Sequence, residues 1–176
     1  MATIVSFLPE VQGLPLAEFL RRYPHPFLLV SEDQTIDLKT GGQYFTTASR
    51  TDSSQPPKAV PSSRKVEKNV FELKKNEAQC LFSFISVGRS SNNDIVISGS
   101  GVSKLHATIQ QTPEGYVVMD SNSRNGTFLN GARLLPQKPI QLADKDLLHF
   151  AGTVSARFLL PGSLFAWLRE GHAWPA

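Results

Sequence analysis

Residues 123–131 read Ser-Arg-Asn-Gly-Thr-Phe-Leu-Asn-Gly. The closing pair, Asn130 and Gly131, follows the short apolar run Thr127-Phe-Leu129. Both central positions of a two-residue hairpin turn need a positive φ, which asparagine and glycine tolerate best. The segment therefore predicts a β-hairpin whose first strand emerges from a polar, glycine-containing loop.

Short alternating apolar runs, separated by turn residues, continue on both sides of this hairpin from about Asn69 onward. The runs that predict strands are Val70 to Leu73, Phe82 to Val87, Asp94 to Ile97, His106 to Ile109, Tyr116 to Met119, Thr127 to Leu129, Leu147 to Phe150 and Val154 to Leu160. Eight or more short strands at this spacing are typical of a β-sandwich. The predicted fold class is mainly β, with the sandwich over residues 68–162.

The N-terminal part has a different pattern. A helix is predicted from Pro15 to Tyr23, because apolar residues recur at helical spacing after a proline suited to a first turn. Its expected core face consists of Leu16, Phe19 and Leu20. Two strands, Phe27 to Val30 and Thr35 to Lys39, are predicted to follow. Residues 1–45 are therefore expected to form a small α+β appendage.

Residues 46–67 are rich in Ser, Thr and Pro and poor in bulky apolar side chains, which predicts a linker or long loop. At the other end, Leu164, Trp167 and Leu168 lie at helical spacing after Ser163, a candidate N-cap. Residues 163–176 are therefore expected to form a closing helix and tail.

Composition sets limits on the function. The 176 residues are 40% hydrophobic, as in an ordinary globular protein. The single cysteine, Cys80, can form neither an intramolecular disulfide nor a cysteine-based zinc cluster, so a reducing, cytoplasmic setting is expected. No apolar stretch approaches the roughly 18 residues of a membrane span, and no membrane association is expected. Much of the net charge of +3 comes from basic residues between Lys58 and Lys75, where a solvated linker explains them more simply than a nucleic-acid site.

Three loops between the predicted strands concentrate polar residues and glycine: 88–94, 101–106 and 120–127. They offer guanidinium, amine, hydroxyl and amide donors, together with backbone N–H groups near the glycines. Such donors suit a phosphate group, which has three acceptor oxygens and a charge of about −1.5 to −2. The loops therefore indicate an anion-binding site on a rigid scaffold.

These loops carry a recognisable combination of motifs. They are Gly88-Arg89, Asn93-Asp94-Ile95, Ser103-x-x-His106 and Ser123-Arg-Asn-Gly-Thr-Phe-Leu-Asn-Gly131. In this order and at these intervals, they closely resemble the forkhead-associated (FHA) domain family. The resemblance covers roughly Val70 to Leu160, about half of the chain. It implies a sandwich of about eleven strands whose loops at one end bind phosphothreonine in a partner protein, without catalysis.

The resemblance also implies roles for individual residues. Arg89 would contact the phosphate or the nearby peptide backbone, and Ser103 would donate its hydroxyl to a phosphate oxygen. Lys104 would add charge, and Asn125 would hydrogen-bond the peptide main chain. Arg124 would bind the phosphate, hold the peptide or read a side chain beyond the phosphothreonine. The residues expected to support the binding loops are Gly88, His106, Gly126, Asn130 and Gly131.

Other chemistries fit the sequence less well. Ser103, His106 and Asp120 have the residue types of a hydrolase triad, but no Gly-x-Ser-x-Gly elbow leads from a strand into a helix. We expect Asp94 and Asp120 to organise loops, because a carboxylate in the pocket would repel phosphate. No catalytic residue, metal or cofactor is predicted.

The sequence thus predicts a phosphothreonine-binding adaptor downstream of a Ser/Thr protein kinase. The extra terminal helices suggest either a free-standing adaptor or a subunit of a larger bacterial signalling or secretion assembly. The alternative is a phosphorylation-independent scaffold that uses the sandwich and its appendages. A third reading, nucleic-acid binding through the basic span, is the least favoured.

Overall fold

The computed structural model describes residues 2–3, 11, 13–31, 68–74 and 83–170. Four features lie outside the described residues: the predicted strand Thr35 to Lys39, the whole predicted linker 46–67, Cys80 and the tail 171–176.

Twelve strands and two helices are described. The strands are β1 (Ala2–Thr3), β2 (Phe27–Ser31), β3 (Lys68–Glu72), β4 (Phe84–Gly88), β5 (Ile95–Val96), β6 (Ala107–Thr112), β7 (Gly115–Asp120), β8 (Thr127–Leu129), β9 (Ala132–Arg133), β10 (Ile140–Leu142), β11 (Leu147–Phe150) and β12 (Val154–Leu159). The helices are α1 (Leu16–Arg22) and α2 (Pro161–Glu170). The mainly β prediction is confirmed.

The strands form two sheets. One contains seven strands in the order β1-β3-β2-β12-β11-β8-β9, and the other contains five in the order β10-β7-β6-β4-β5. Only β4 and β5 pair in parallel among these strands. The predicted hairpin is present, with β8 paired to β9 and positive φ at both Asn130 and Gly131.

The main core lies between the two sheets, as alternation along the strands requires. Leu28 and Val30 of the larger sheet pack in one cluster with Ile85, Val87 and Ile109 of the smaller sheet. Burial of these side chains fixes the register of both sheets, because a shift by one residue would turn the apolar set towards solvent. The fixed register in turn fixes the positions of the strand ends, from which the loops emerge.

A second apolar cluster covers the outer face of the larger sheet. Phe27 and Leu29 of β2 pack there with Phe19 of α1 and with Leu164 and Phe165 of α2. Because β2 is buried on both faces, its first four residues, Phe27 to Val30, are all apolar. The strand pairs with β3 and β12, so the N-terminal segment 1–45 contributes a central strand to the sandwich sheet.

Some local predictions need correction. Helix α2 begins at Pro161, a residue suited to a first helical position, and the Ser163 hydroxyl donates to Asp144 instead of capping the helix. In α1, Phe19 is fully buried, against Phe165 of α2, but Leu16 and Leu20 are 45% and 41% exposed. The predicted core face of the helix is therefore reduced to Phe19. Strands β9 and β10 were not predicted, since two or three residues are too few to show alternation.

No helix in the described part of the chain has both the length and the apolar character needed to cross a membrane.

Candidate functional site

Three loops meet at one end of the sandwich: β4–β5, β5–β6 and β7–β8. Backbone hydrogen bonds join them, from the Arg89 N–H to the Ser103 carbonyl (3.0 Å) and from the Ser121 N–H to the His106 carbonyl (2.9 Å). The first two loops border a cavity of about 480 Å³ to which the third contributes. Its lining residues are Arg89, Gly99, Ser100, Gly101, Val102, Ser103, Lys104, Arg124 and Asn125. The structure thus brings together all the residues predicted to bind phosphopeptide.

The cavity has a positive lining. Arg89, Lys104 and Arg124 are exposed, and the lining contains no carboxylate. Asp94 and Asp120 do not line the cavity. The Asp94 carboxylate accepts from the Ser86 N–H and hydroxyl, and the Asp120 carboxylate accepts from the Ser123 N–H. Because nothing negative lies in the lining, the field in the cavity favours an anionic ligand.

Ser103 is oriented by the neighbouring loop. Its Oγ accepts a hydrogen bond from the Arg124 N–H at 3.1 Å. A hydroxyl has one proton to donate, and an Oγ already accepting from the protein leaves that proton for a ligand. Ser103 is therefore set to donate into the cavity, while its contact with Arg124 fixes the spacing of the two loops.

Asn125 crosses between loops in the same way. Its Nδ2 donates to the Gly101 carbonyl at 2.9 Å, which leaves Oδ1 able to accept from a peptide N–H. Gly101 is in close contact here, because a Cβ at this position would come within 2.9 Å of both Asn125 Nδ2 and the Ala151 Cβ. The absent side chain allows the loops to approach.

Gly88 and Asn93 fix the backbone beside Lys104. A Cβ on Gly88 would lie 2.3 Å from the Lys104 carbonyl oxygen, so only glycine fits there. Asn93 is 8% exposed, and its Nδ2 donates to the carbonyls of Lys104 (2.6 Å) and Ser90 (2.8 Å). The sequence showed Asn93 within a motif but gave it no role; the structure makes it the residue that ties the β4–β5 loop to the β5–β6 loop.

We expect Gly88→Ala to lower both stability and phosphopeptide affinity. The new methyl group forces the Lys104 backbone to move, and overpacking of this kind costs about 1–3 kcal/mol. Urea unfolding and a binding titration of the same samples measure the two effects. Gly162→Ala is the matched control, because a Cβ at Gly162 meets nothing within 4 Å. A Gly88→Ala protein as stable and as tight-binding as Gly162→Ala would contradict this interpretation.

His106 braces the loops from inside the protein. It is fully buried, its Nδ1 accepts from the Ser103 N–H (3.0 Å), and its Nε2 lies 3.1 Å from the Gly126 carbonyl. These contacts require the neutral ring with the proton on Nε2. Burial lowers the pKa of His106, and the Gly126 carbonyl and the Asp120 carboxylate offset this only in part. The ring therefore links the β5–β6 loop to the β7–β8 loop as a neutral group.

This geometry is not that of a catalytic triad. The Ser103 backbone N–H, and not its hydroxyl, contacts His106. The other ring nitrogen is directed at a backbone carbonyl. A triad needs a hydrogen bond between the nucleophile and the base, and these residues do not make it. In the described part of the chain, no group of three or more His, Cys, Asp or Glu side chains could hold a metal ion.

Asp120 organises the β7–β8 loop. Its carboxylate accepts from the hydroxyls of Ser123 and Thr127, both at 2.6 Å, and from the Ser123 N–H at 3.0 Å. Burial raises the pKa of Asp120, but these hydrogen bonds and the nearby His106 outweigh it, so that the pKa is lowered overall. Ser123 Oγ in turn accepts from the N–H of Gly126, whose φ is +83°. A positive φ of this size favours glycine, and the hydrogen bond holds the loop in this turn.

Asn130 and Gly131 lie at the other end of β8. Asn130 Nδ2 donates to Asp146 (2.8 Å), and its Oδ1 accepts from the Leu147 N–H (2.9 Å). These bonds tie the hairpin turn to the start of β11. The sequence prediction gave both residues a role in supporting the binding loops. In the structure, strand β8 lies between this turn and the cavity.

Comparison with known proteins agrees with this geometry. Residues 85–151 match the family model of the FHA domain. The chain is 38% identical over 78 residues to an ABC transporter ATP-binding/permease protein of Mycobacterium tuberculosis, and 37% identical over 67 residues to an FHA domain-containing protein of Arabidopsis thaliana. These matches cover 42% and 38% of this chain but only 9% and 17% of the relatives.

Solved structures give partial overlaps. The solution structure of an FHA domain from Arabidopsis thaliana is 29% identical, with a TM-score of 0.45, over 52% of this chain and 74% of that one. EmbR of Mycobacterium tuberculosis, in complex with a low-affinity phosphopeptide, is 29% identical, with a TM-score of 0.41, over 44% of this chain and 20% of that one. The family match and the cavity of described residues coincide at the same loops. Residues 85–151, which include these loops, are therefore the part of the chain that matches the forkhead-associated domain family.

Proposed function

We propose that this chain binds phosphothreonine in a partner protein through the cavity between the β4–β5, β5–β6 and β7–β8 loops. The observation that carries the proposal is the convergence of Arg89, Ser103, Lys104, Arg124 and Asn125 on one cavity without a carboxylate in its lining. In this proposal the two arginines and the lysine attract the phosphate. The Ser103 hydroxyl donates to a phosphate oxygen, and Asn125 Oδ1 accepts from the peptide main chain.

Phosphorylation would act as an affinity switch. An unmodified threonine brings no charge, whereas the phosphate adds several charge-assisted hydrogen bonds, each worth about 1.5–3 kcal/mol before desolvation. Since 1.4 kcal/mol is about tenfold in affinity, a few such bonds convert negligible binding into binding in the micromolar range. The rigid cross-links between the loops reduce the ordering cost of binding, because the donors are already positioned.

The proposal includes a setting. We infer a non-catalytic adaptor that acts downstream of a Ser/Thr protein kinase, because a kinase must produce the ligand. We also propose that the protein is cytoplasmic, because kinases need ATP as phosphoryl donor. A bacterial origin is also proposed from the presence of helices beside the sandwich; the two relatives above come from a bacterium and a plant.

Acid pH should lower both the stability of the protein and its affinity for a phosphopeptide. Burial lowers the pKa of both His106 and His149, so below pH 6.5 the unfolded chain takes up protons that the folded chain resists. Stability contributed by neutral His106 and His149 is complete above pH 6.5 and is lost as the pH falls towards their lowered values. The phosphate also loses charge near its second pKa of about 6. We expect lower urea midpoints and lower phosphopeptide affinity at pH 5.5 than at pH 7.5; equal midpoints would contradict this account.

The test is a fluorescence-anisotropy titration of the whole chain with a degenerate phosphothreonine peptide library. Matched libraries with threonine and phosphoserine are the controls. Binding that requires phosphothreonine supports the proposal. Equal binding of the phosphorylated and unphosphorylated libraries would favour the phosphorylation-independent scaffold, and a folded chain that binds neither would overturn phosphothreonine recognition.

A further inference from the structure

Arg133 lies close to the binding loops, although it belongs to none of the sequence motifs that identify them. It is the last residue of β9, which runs antiparallel to β8 and so returns to the end of the sandwich where β8 begins. There the guanidinium packs against Gly126. A Cβ built on Gly126 would lie 2.6 Å from Arg133 Nε and 3.1 Å from one terminal nitrogen, so the missing side chain of Gly126 leaves the space that the guanidinium occupies.

The backbone under Arg133 is firmly held. The Gly126 carbonyl lies 3.1 Å from His106 Nε2 and accepts from the Ala151 N–H at 3.0 Å, and the Gly126 N–H donates to Ser123 Oγ at 3.0 Å. The preceding residue, Asn125, lines the cavity. Arg133 therefore places a positive charge over the fixed backbone of Gly126, the residue that follows Asn125 of the cavity lining.

The charge of Arg133 is not used within the described part of the chain. Arg133 is exposed. Among the described residues, no carboxylate forms an ion pair with it. The phosphate brings about −1.5 to −2 charges, which Arg89, Lys104 and Arg124 already match inside the cavity. A fourth cation on the adjoining surface thus suits a second negative group on the same ligand.

We infer that Arg133 is a specificity-determining residue that selects phosphopeptides with an acidic side chain close to the phosphothreonine. This inference rests on the proposed function, since the phosphate must first place the peptide across the loops. A guanidinium suits the role because its planar donors can bind a carboxylate in a bidentate manner. The peptide backbone held by Asn125 would carry the acidic side chain over Gly126 towards Arg133.

The experiment compares three phosphothreonine peptides that differ only in the three residues on each side, which are Asp, Ala or Lys. Wild-type protein should bind the Asp peptide about two- to fivefold more tightly than the Ala peptide, the range of an exposed ion pair. Arg133→Ala should lose Arg133's share of this preference, so that the ratio falls towards one. Arg133→Glu should lower it further and improve relative binding of the Lys peptide. Lys145→Glu, in the turn before β11 at the other end of the sandwich, is the matched charge control.

The outcomes separate this inference from the proposed function. Unphosphorylated peptides should not bind any variant. If wild type fails to bind all three phosphopeptides, phosphothreonine recognition itself is wrong. If wild type binds them but Arg133→Glu keeps the wild-type Asp-to-Lys ratio, only the role of Arg133 is overturned. Circular dichroism checks that each variant folds. Arg133→Gln, which is polar but uncharged, replaces Arg133→Glu if that variant does not fold.

Discussion

Arg89→Ala should lower the affinity for a phosphothreonine peptide by at least about a hundredfold while the protein keeps its wild-type unfolding midpoint. Arg89 is exposed and lines the cavity, and only its backbone N–H takes part in holding the loops together. Its guanidinium can make two charge-assisted hydrogen bonds to phosphate, each contributing about 1.5–3 kcal/mol. Loss of both corresponds to at least about two powers of ten in affinity.

Anisotropy titration and urea unfolding measure the two quantities on the same samples. Ser103→Ala belongs in the same series, because the hydroxyl that faces the ligand is removed; it should cost less affinity than Arg89→Ala. Arg21→Ala, an exposed arginine on α1, is the control and should bind as wild type does. Full affinity in a folded Arg89→Ala protein would remove Arg89 from the site.

His106→Ala should have the largest effect on stability. The substitution leaves a cavity in place of a fully buried ring and removes the two hydrogen bonds of that ring, to the Ser103 N–H and to the Gly126 carbonyl. It also removes the perpendicular contact with the Phe150 ring, whose centroid is 5.7 Å away. A loss of about 2–4 kcal/mol in the free energy of unfolding follows from the cavity and the unpaired groups.

Affinity should fall in the same variant by about tenfold, because Ser103 and Asn125 lose their fixed spacing and the ligand must order them. Urea unfolding and anisotropy titration test both effects. His149→Ala is the matched control: His149 is half-buried in β11 and does not line the cavity, so its loss should reduce stability less and leave affinity unchanged. A His106→Ala protein with wild-type stability and affinity would show that the His106 ring does not hold the two loops together.

Sequence periodicity predicted much of the sandwich, because most strands bury one face and therefore alternate. The hairpin at Asn130 and Gly131 was predictable from turn chemistry alone. The sheet neighbours of β2 could not be predicted. An apolar run such as Phe27 to Val30 shows that both faces are buried, but it does not show which strands lie beside it. The start of α2 was missed for a related reason: the Ser163 hydroxyl has a partner, Asp144, that only the tertiary structure brings near.

The cavity residues could be named from sequence because the motifs fix their order and spacing. What the motifs did not show is how the loops are joined. The contacts of Asn93 with Lys104, and of Arg133 with Gly126, bring together residues that lie on different loops or strands. Such contacts depend on where strand ends meet, and no local pattern records them. The placement of Asn130 away from the cavity has the same origin.

The central claim, that a phosphothreonine binds among these loops, is tested most directly by mapping backbone amide shifts in a ¹⁵N NMR titration. The chain is titrated with a phosphothreonine peptide and with its unphosphorylated twin. We predict large shifts at Arg89, Ser103, Arg124 and Asn125 with the phosphorylated peptide and none with the other. Equal shifts with both peptides, or shifts confined to the exposed face of α1 around Leu16 and Leu20, would contradict the account.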